Sequence, residues 1–199
     1  LPLSKVRPTI LHRAMRYSIF AGGKRLRPIL CLATANAVSG SEKKALIPAA
    51  AIELLHTYTL IHDDLPAMDD DALRRCKPTC HIVFGEANAI LAGDALLTLA
   101  FEWLAQCQAP PPYKPNQLAL ELAQAAGSQG VIGGQVEDLA AEKKKPNAKL
   151  VEYIHRHKTA ALIRAAVRIG AIVSGASRQQ LRDLTQYGEK IGLAFQIAD

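Results

Sequence analysis

The amino-acid sequence predicts an all-α fold. Aromatic residues make up only 5% of the 199 residues, Ala and Leu are abundant, and apolar residues recur three and four positions apart instead of alternating. The 49% hydrophobic content is ample for a sizeable core, and no stretch reaches about 18 uninterrupted apolar residues, so we predict no membrane span. Because the chain starts at Leu1 and stops abruptly at Asp199, we expect one domain, 1–199, truncated at the C-terminus and also at the N-terminus.

Breaks at Gly and Pro divide the chain into predicted helices. They cover residues 1–20, 27–38, 42 to the aspartates at 63–64, 82–108, 117–127, 150–173 and 178–199. Gly22 and Gly23 end the first helix, and Ser177 offers a hydroxyl that caps the last one. Residues 77–79 and the proline-rich stretch 109–115 are predicted as loops.

Residues 61–80 gather carboxylates and then basic side chains. The carboxylates are Asp63, Asp64, Asp69, Asp70 and Asp71, and they are followed by Arg74, Arg75 and Lys77. Neighbouring carboxylates repel by about 1 kcal/mol per pair at 4 Å even in water, so such a cluster is typical of a cation site. Because the cluster provides only oxygen ligands, the predicted cation is Mg²⁺, or Mn²⁺, rather than zinc. Because Mg²⁺ completes its octahedron with phosphate oxygens and arginines meet the remaining charge, we interpret the cluster as a metal-bridged diphosphate site.

Helical spacing links His56 to this cluster. At about 100° per residue, His56 falls within about 20° of Asp63, seven residues later, so the two side chains share a stripe. Asp69 would lie about 120° off that stripe if the helix continued, but Pro66 cannot continue it without losing a backbone hydrogen bond. We therefore predict a break at 65–68 that returns Asp69 to the side of Asp63.

Two further groups are weaker candidates for binding an anion. Lys24 and Arg27 share a face at a helix start, with Arg25 pointing elsewhere, and Lys158–Thr159 combines a cation with a hydroxyl. A solvent-exposed face is the simpler interpretation of each group taken alone, and the acidic cluster favours the anion site. Asp94, in the middle of an apolar stretch, is interpreted as a hydrogen-bonded structural carboxylate.

The cysteines and the net charge bear on compartment and ligand. Cys31 and Cys107 lie in apolar helical stretches, while Cys76, Cys80 and His81 lack the second ligand pair of a zinc site, so we predict free thiols and a reducing compartment. The net charge of +6 fits an anionic ligand, although ordinary solvated faces would give it too. Nucleic-acid binding is not predicted, because the chain lacks aromatic platforms and a recognition motif.

Six blocks, in order along almost the whole chain, carry a resemblance to a known family. They are AGGKRLRP, HTYTLIHDDLPAMDDDALRRCKPTCH, FGEANAILAGDALLTLAF, GGQVEDL, YIHRHKTAALIRAA and IGLAFQIAD. The chain resembles the trans-prenyltransferases (isoprenyl diphosphate or polyprenyl synthetases), and most nearly the bacterial-type farnesyl diphosphate synthases, whose first aspartate-rich motif has the DDxxxxD form found at 63–69.

This resemblance implies a fold, an activity and partners. The fold is an isoprenoid-synthase-type helical bundle around a central cavity, usually in a homodimer. The activity is Mg²⁺-dependent, head-to-tail condensation of isopentenyl diphosphate with an allylic diphosphate, either dimethylallyl or geranyl. The implied location is cytoplasmic, and a plastid is the alternative because the N-terminus is missing.

The resemblance also implies roles for individual residues. The implied metal ligands are Asp63, Asp64, Asp69 and Asp199, the last as the first aspartate of a second metal motif. The residues that match positions around the allylic diphosphate are Arg74, Lys158, Thr159 and Gln196. Those that match the isopentenyl diphosphate pocket are Lys24, Arg27, His56 and Arg75. The implied catalytic set is Asp63, Asp64, Asp69, Arg74 and Lys158.

Tyr58 and Thr59 are the candidates for the floor that stops the growing chain. By helical angle Thr59 lies only about 40° from Asp63 and Tyr58 about 140° away, so geometry favours Thr59, whereas the resemblance favours Tyr58. An aromatic side chain here implies a fifteen-carbon product, farnesyl diphosphate, and a Tyr that merely packs between helices is the alternative. Geranylgeranyl or geranyl diphosphate synthase, a non-catalytic regulatory subunit and a class I terpene synthase are the alternative functions.

Two positions depart from the family pattern DDDDLRRGKP. Ala72 replaces a usual Asp, and Cys76 replaces a usual Gly. A left-handed turn at position 76 would strain Cys where Gly is unstrained, so this departure bears on the placement of Arg74 and Arg75.

Overall fold

The computed structural model describes residues 1–142, 145 and 147–198, apart from the side chains of residues 197 and 198. Its helices are α1 (Thr9–Ile19), α2 (Leu26–Ser39), α3 (Leu46–Asp63), α4 (Cys80–Phe84), α5 (Glu86–Ala105), α6 (Gln117–Ala126), α7 (Val131–Ala141), α8 (Ala148–Ile154), α9 (Ala161–Val173) and α10 (Arg178–Ala198). A 3₁₀ turn, Lys43–Ala45, precedes α3, and a π-helical segment, His155–Ala160, joins α8 to α9. Strands β1 (Leu73–Arg74) and β2 (Lys77–Pro78) form an antiparallel hairpin. The predicted all-α class is therefore confirmed, and the predicted metal ligand Asp199 lies outside the described residues.

The chain forms two compact units. The first contains Leu1–Arg25 and Glu53–Glu102, and the second contains Leu26–Ile52 and Trp103–Asp199. Lys24 and all the candidate residues from His56 to Arg75 belong to the first unit. The candidates of the second unit are Arg27, Lys158, Thr159 and Gln196.

The core of the second unit is built on α9. Most of α9 is buried, including Leu162, Ile163 and Ile172, and α2, α6 and α10 pack against it. Full burial of each such side chain contributes about 1.5–3 kcal/mol. The helices α2 and α9 approach closely at Gly170, where a Cβ would overlap the carbonyl of Cys31. A small residue at this position therefore sets the spacing of the two helices.

The first unit contains the predicted acidic cluster. Here α1 packs on α4, where the rings of Tyr17 and Phe84 meet edge to face with 5.5 Å between centroids. The Tyr17 hydroxyl also donates a hydrogen bond of 2.7 Å to the carbonyl of Pro78, which ties β2 to α1. Leu55 and Ile61 are buried on α3, just before the aspartates. These contacts anchor the elements on either side of the acidic cluster.

Three predicted boundaries are wrong. Helix α1 begins at Thr9 instead of residue 1, because Pro8 disfavours the helical conformation at Arg7. The predicted helix 82–108 is divided into α4 and α5 at Gly85, whose φ of 84° lies in the region that favours glycine. Residues 77–79 were expected to form a loop, and two of them form strand β2.

The start of α10 agrees with the prediction. The Ser177 hydroxyl accepts a hydrogen bond of 3.2 Å from the backbone N–H of Gln180. The Gln180 side chain in turn accepts one of 2.8 Å from the backbone N–H of Ser177. This reciprocal arrangement is a capping box, and it satisfies two backbone donors at the helix start.

Two helical stretches, Lys43–Asp63 and Glu86–Ala105, are long and apolar enough to cross a membrane by length and composition alone. The core helix of a globular protein meets the same criterion, and 56% of the first stretch is buried inside the structure. The two helices are therefore weak evidence of a membrane span and carry no such assignment.

Candidate active site

The acidic motif forms a closed loop at the end of α3. The helix ends at Asp63, and the backbone N–H of Asp69 donates a hydrogen bond of 2.9 Å to the carbonyl of Asp63. A second hydrogen bond, 3.1 Å from the N–H of Asp70 to the carbonyl of Leu65, closes the turn that contains Pro66. The predicted break at 65–68 is therefore confirmed, and the backbones at the two ends of the motif are adjacent.

The chemistry of this loop fits Mg²⁺. Asp63 is half-buried and Asp69 is exposed, and no three His, Cys, Asp or Glu side chains cluster as a metal cage within the part of the chain that the structure describes. Mg²⁺ commonly binds through one or two carboxylates and completes its shell with water and substrate phosphates. A pair of carboxylates at the ends of one loop suits that mode of binding.

Asp64 has a different environment from its neighbours. Its carboxylate is buried and accepts a hydrogen bond of 2.5 Å from Nε of Arg74, while Nη2 of Arg74 reaches Asp71 at 3.3 Å. Burial raises the pKa of Asp64, and the hydrogen bond and charge of Arg74 oppose that rise without cancelling it. The geometry favours a role for Asp64 in positioning the Arg74 guanidinium, and its role as a metal ligand stays a prediction.

The hairpin places two consecutive arginines beside this carboxylate. Arg75 and Cys76 form its two-residue turn with φ of 55° and 59°, as a type I′ turn requires. Cys76 therefore has the left-handed backbone conformation that was considered for it from the sequence, in which a Cβ is strained. The hydroxyl of Thr79 donates a hydrogen bond of 2.8 Å to the carbonyl of Asp71 and closes the base of the loop.

Arg75 reaches from the hairpin to the glycine turn that follows α1. Its Nη1 donates a hydrogen bond to the carbonyl of Gly22, and its guanidinium fills the space where a Cβ on residue 23 would lie. Gly22 and Gly23 have φ of 98° and 123°, so the predicted break here is confirmed. The glycines thus permit both the turn and the close approach of Arg75.

A small cavity lies between α1, α3 and the hairpin. Its charged lining side chains are Asp64, Arg74, Arg75 and Lys77. Three cations against one carboxylate give this cavity a net positive charge, which favours an anion such as a phosphate group.

One partly buried ion pair in the first unit was not predicted from the sequence. Nη1 of Arg25 donates to Oε1 of Glu53, and Nη2 of Arg25 donates to the carbonyl of Ile19. Glu53 is buried on α3, three residues before His56. One feature of the sequence could have indicated a buried, paired carboxylate here: Glu53 is the only acidic residue between positions 46 and 62.

The other residues predicted for the isopentenyl diphosphate lie in different parts of the fold. Lys24 is exposed in the turn before α2, and His56 is half-buried on α3. Arg27 is half-buried on α2, which belongs to the second unit. Within the first unit, Arg75 contacts the glycine turn that directly precedes Lys24.

A second polar cluster lies in the second unit at the π-helical segment. Nζ of Lys158 donates a hydrogen bond of 2.6 Å to Oδ2 of Asp138 on α7, and Thr159 is buried beside it in the chain. Gln135, three residues before Asp138, is buried, and neither of its side-chain polar atoms has a hydrogen-bond partner among the described residues. π-helical turns often mark functional sites. Gln196 is half-buried near the end of α10.

The candidates for the chain-length floor differ in their contacts. The Tyr58 ring packs edge-on against His62, 4.9 Å between centroids, and burial followed by the charges of Asp94 and Asp63 raises the pKa of Tyr58. The Thr59 hydroxyl donates a hydrogen bond of 2.8 Å to the carbonyl of His56 in its own helix.

Helix α5 is only partly buried, with 33% of its apolar stretch inside the structure. The Asp94 side chain is 56% exposed, and its role as a hydrogen-bonded structural carboxylate stays a prediction. It lies 3.9 Å from Nε2 of His62, which also forms a hydrogen bond of 3.0 Å with the carbonyl of Ile90. A Cβ on Gly93 would overlap the His62 ring, so the glycine admits this ring against α5.

Comparison with known proteins agrees with this arrangement. A family model described as polyprenyl synthetase matches residues 8–199. The chain is 54% identical over 188 residues to farnesyl diphosphate synthase of Escherichia coli K12, covering 93% of this chain and 63% of that protein. It is 49% identical over 195 residues to geranylgeranyl pyrophosphate synthase 7, chloroplastic, of Arabidopsis thaliana, covering 96% and 56%. The chain therefore spans less than two thirds of the length of these relatives.

The fold is shared with solved structures. The apo structure of an FPP/GFPP synthase from Zymomonas mobilis superposes with a TM-score of 0.90 and is 42% identical, covering 100% of this chain and 73% of that one. This similarity confirms the predicted isoprenoid-synthase fold class. With a family model that covers nearly all its residues, the chain belongs to the polyprenyl synthetase family.

Proposed function

We propose that this chain is part of a prenyltransferase that condenses isopentenyl diphosphate head to tail with an allylic diphosphate. Dimethylallyl diphosphate gives geranyl diphosphate, geranyl diphosphate then gives farnesyl diphosphate, and each condensation releases one pyrophosphate. The observation that carries the proposal is the cationic cavity between α1, α3 and the hairpin, next to the acidic loop. The loop offers the carboxylates of Asp63 and Asp69, and the hairpin directs Arg74 to one side and Arg75 to the other.

Asp63 and Asp69 would hold Mg²⁺, or Mn²⁺, between the loop and the allylic diphosphate, and Asp64 and Asp199 are the further proposed ligands. When bound, the ion neutralises negative charge on the departing pyrophosphate. Arg74, oriented by Asp64, adds a fixed positive charge on that side, and preorganised charge of this kind is commonly the main source of an enzyme's rate enhancement.

The remaining residues bind and orient the substrates. Isopentenyl diphosphate is proposed to bind Lys24, Arg27, His56 and Arg75. Its double bond attacks the allylic carbon as the bond from that carbon to pyrophosphate breaks, and the resulting cation loses a proton to the released pyrophosphate. Lys158, Thr159 and Gln196 are proposed for the allylic diphosphate. The hydrogen bond from Lys158 to Asp138 supports a fixed position for that ammonium group.

The fifteen-carbon product is the finer part of the proposal. Tyr58 supports it, because its ring rests on His62 and His62 is in turn held to α5 through the carbonyl of Ile90. A side chain fixed in this way resists displacement by a growing prenyl chain.

A homodimer is also part of the proposal. Consecutive apolar side chains on α4, Ile82 and Val83, and on α5, Ile90 and Leu91, are between 43% and 56% exposed. Pairing these faces in two copies of the chain would remove them from water. Light scattering of the full-length protein tests the dimer, and fractionation of source cells tests the proposed cytoplasmic location.

Release of pyrophosphate by the full-length protein with Mg²⁺ tests the proposed reaction. We expect release only when isopentenyl diphosphate and an allylic diphosphate are both present. Release from the allylic diphosphate alone would support a class I terpene synthase. No release from folded, metal-loaded protein would support the non-catalytic regulatory subunit.

A further inference from the structure

The ion pair between Arg25 and Glu53 has no assigned role in the proposed reaction. Glu53 is only 8% exposed, and every other residue from 46 to 62 is either uncharged or His. Arg25 adopts a left-handed backbone with φ of 51°, which residues with a Cβ rarely do. Its guanidinium bridges the Glu53 carboxylate and the carbonyl of Ile19. The contact between Arg25 and Glu53 thus joins a residue with an unusual backbone conformation to a buried carboxylate.

This contact lies where cations are crowded. The guanidinium of Arg75 occupies the space over Gly23 and donates to the carbonyl of Gly22. Burial and then the charge of Arg25 lower the pKa of Arg75, while the charge of Glu53 raises it. Glu53 therefore has the larger effect of the two carboxylates, Glu53 and Asp64, whose charges offset the positive charge around the Arg75 guanidinium.

We propose that Glu53 is a positioning residue for isopentenyl diphosphate, acting through Arg25 on the turn formed by Gly22, Gly23 and Lys24 and on the Arg75 guanidinium. This inference rests on the proposed function. Arg25 follows Lys24 directly, so fixing its side chain to α3 and its backbone to the glycine turn restricts where Lys24 projects. Glu53 itself does not contact substrate in this account. Its single charge leaves Lys24, Arg25 and Arg75 with a net positive charge for the diphosphate.

The two substrates should respond differently to loss of Glu53. Arg74 is held by Asp64, and Lys158 is held by Asp138, so the side chains proposed for the allylic diphosphate have their own carboxylates. Glu53→Gln keeps the shape of the side chain and removes its charge. In the full-length protein we expect the KM for isopentenyl diphosphate to rise by about tenfold or more, with the KM for geranyl diphosphate changed by less than about twofold.

Two further variants test whether Glu53 acts through Arg25. In the double variant Arg25→Gln with Glu53→Gln, we expect the KM for isopentenyl diphosphate to be no higher than the larger single effect, because residues that act as one unit are not additive. Arg25→Lys keeps the charge and should recover part of the wild-type KM relative to Arg25→Gln. Additive effects would contradict action through Arg25.

A matched control is available in the second unit. Glu121 is a buried carboxylate paired with Arg168 through two hydrogen bonds of 2.7 Å, and it has no proposed role with either substrate. Glu121→Gln should lower the melting temperature and leave both KM values within about twofold of wild type. If Glu53→Gln also lowers only the melting temperature, or raises both KM values equally, the proposal is overturned.

The failure of this inference can be told from failure of the proposed function. Wild-type protein that does not condense the two diphosphates would overturn the function, and this inference with it. Wild-type protein that condenses them, with an unchanged KM for isopentenyl diphosphate in Glu53→Gln, would overturn only the inference. If Glu53→Gln does not fold, Arg25→Lys is compared with Arg25→Gln. A lower KM for isopentenyl diphosphate in Arg25→Lys, with the KM for geranyl diphosphate unchanged, would support the proposal, and equal KM values in the two variants would overturn it.

Discussion

The backbone N–H of Asp69 donates a 2.9 Å hydrogen bond to the carbonyl of Asp63, so the acidic motif closes on itself. A continuous helix would direct these two residues about 120° apart. The closed turn instead joins the last residue of α3 to an exposed aspartate at the rim of the loop. The metal-binding part of the proposal depends on this local geometry.

Asp69→Asn tests the proposed metal ligand. We expect kcat for condensation to fall by about 100-fold or more, because a carboxylate that holds Mg²⁺ becomes a neutral amide. The Mg²⁺ concentration for half-maximal rate should rise as well. Steady-state assays across a Mg²⁺ titration measure both quantities. The control is Asp70→Asn, whose contribution to the loop is a backbone hydrogen bond that the variant retains; equal losses in the two variants would contradict the assignment.

Tyr58→Ala tests the chain-length floor. Removing the ring that rests on His62 should open space for a further isoprene unit, so we expect twenty-carbon product beside or in place of the fifteen-carbon product. Tyr58→Phe keeps the ring and should keep the wild-type product. Chromatography of the dephosphorylated products measures the shift. Only fifteen-carbon product from Tyr58→Ala, or longer product from Thr59→Ala instead, would count against Tyr58.

Cys76→Gly should stabilise the protein. Cys76 has φ of 59° in the hairpin turn, where a residue with a Cβ costs about 1–2 kcal/mol. Glycine relieves that cost but has more freedom in the unfolded chain, so we expect a net gain of about 1 kcal/mol. Thermal unfolding should show an increase in Tm of about 2–4 °C. Cys76→Ala removes the thiol and keeps the Cβ; an equal gain in that variant would show that backbone strain is not the cause.

Glu121→Gln should change how stability depends on pH. Burial raises the pKa of Glu121, but the hydrogen bonds and charge of Arg168, with a hydrogen bond from Gln117, outweigh burial and lower the pKa below its ordinary value. A depressed pKa in the folded state means that the stabilisation is present above the unfolded pKa and is lost as pH falls through the folded pKa. We expect the variant to be about 2–4 kcal/mol less stable at neutral pH.

The same variant should lose less stability on acidification. Wild type is expected to lose the contribution of the pair as pH falls below about 4, whereas the variant has no carboxylate to protonate there. Urea unfolding at intervals between about pH 7 and 3 measures the difference. Parallel curves for the two proteins would contradict the account of this pair.

The sequence predicted the features that depend on local backbone chemistry. Pro66 lacks the N–H that a continuing helix needs, so the break after Asp63 followed from one residue. The turn at Gly22 and Gly23 and the strain at Cys76 likewise depend on which residues tolerate positive φ. The metal-bridged diphosphate site was likewise predicted without knowledge of the fold, because it followed from carboxylates and arginines clustered along the chain.

Features that depend on distant partners were not predicted. Arg25 and Glu53 are 28 positions apart, and no periodic pattern relates them. Asp64 was expected to act with Asp63 and Asp69, and its contact with Arg74 arises only when the hairpin folds back onto α3. The two-residue strands of that hairpin are too short to show an alternating pattern. The exposure of Asp94 depends on which helices cover α5, which its own apolar sequence does not reveal.

The most direct test of the account is the size of the product made by the full-length protein from geranyl diphosphate and isopentenyl diphosphate with Mg²⁺. We predict one dominant fifteen-carbon alcohol after dephosphorylation. A twenty-carbon product would keep the condensation and contradict Tyr58 as the floor. No product from folded, metal-loaded protein would contradict the central claim that the protein condenses the two diphosphates.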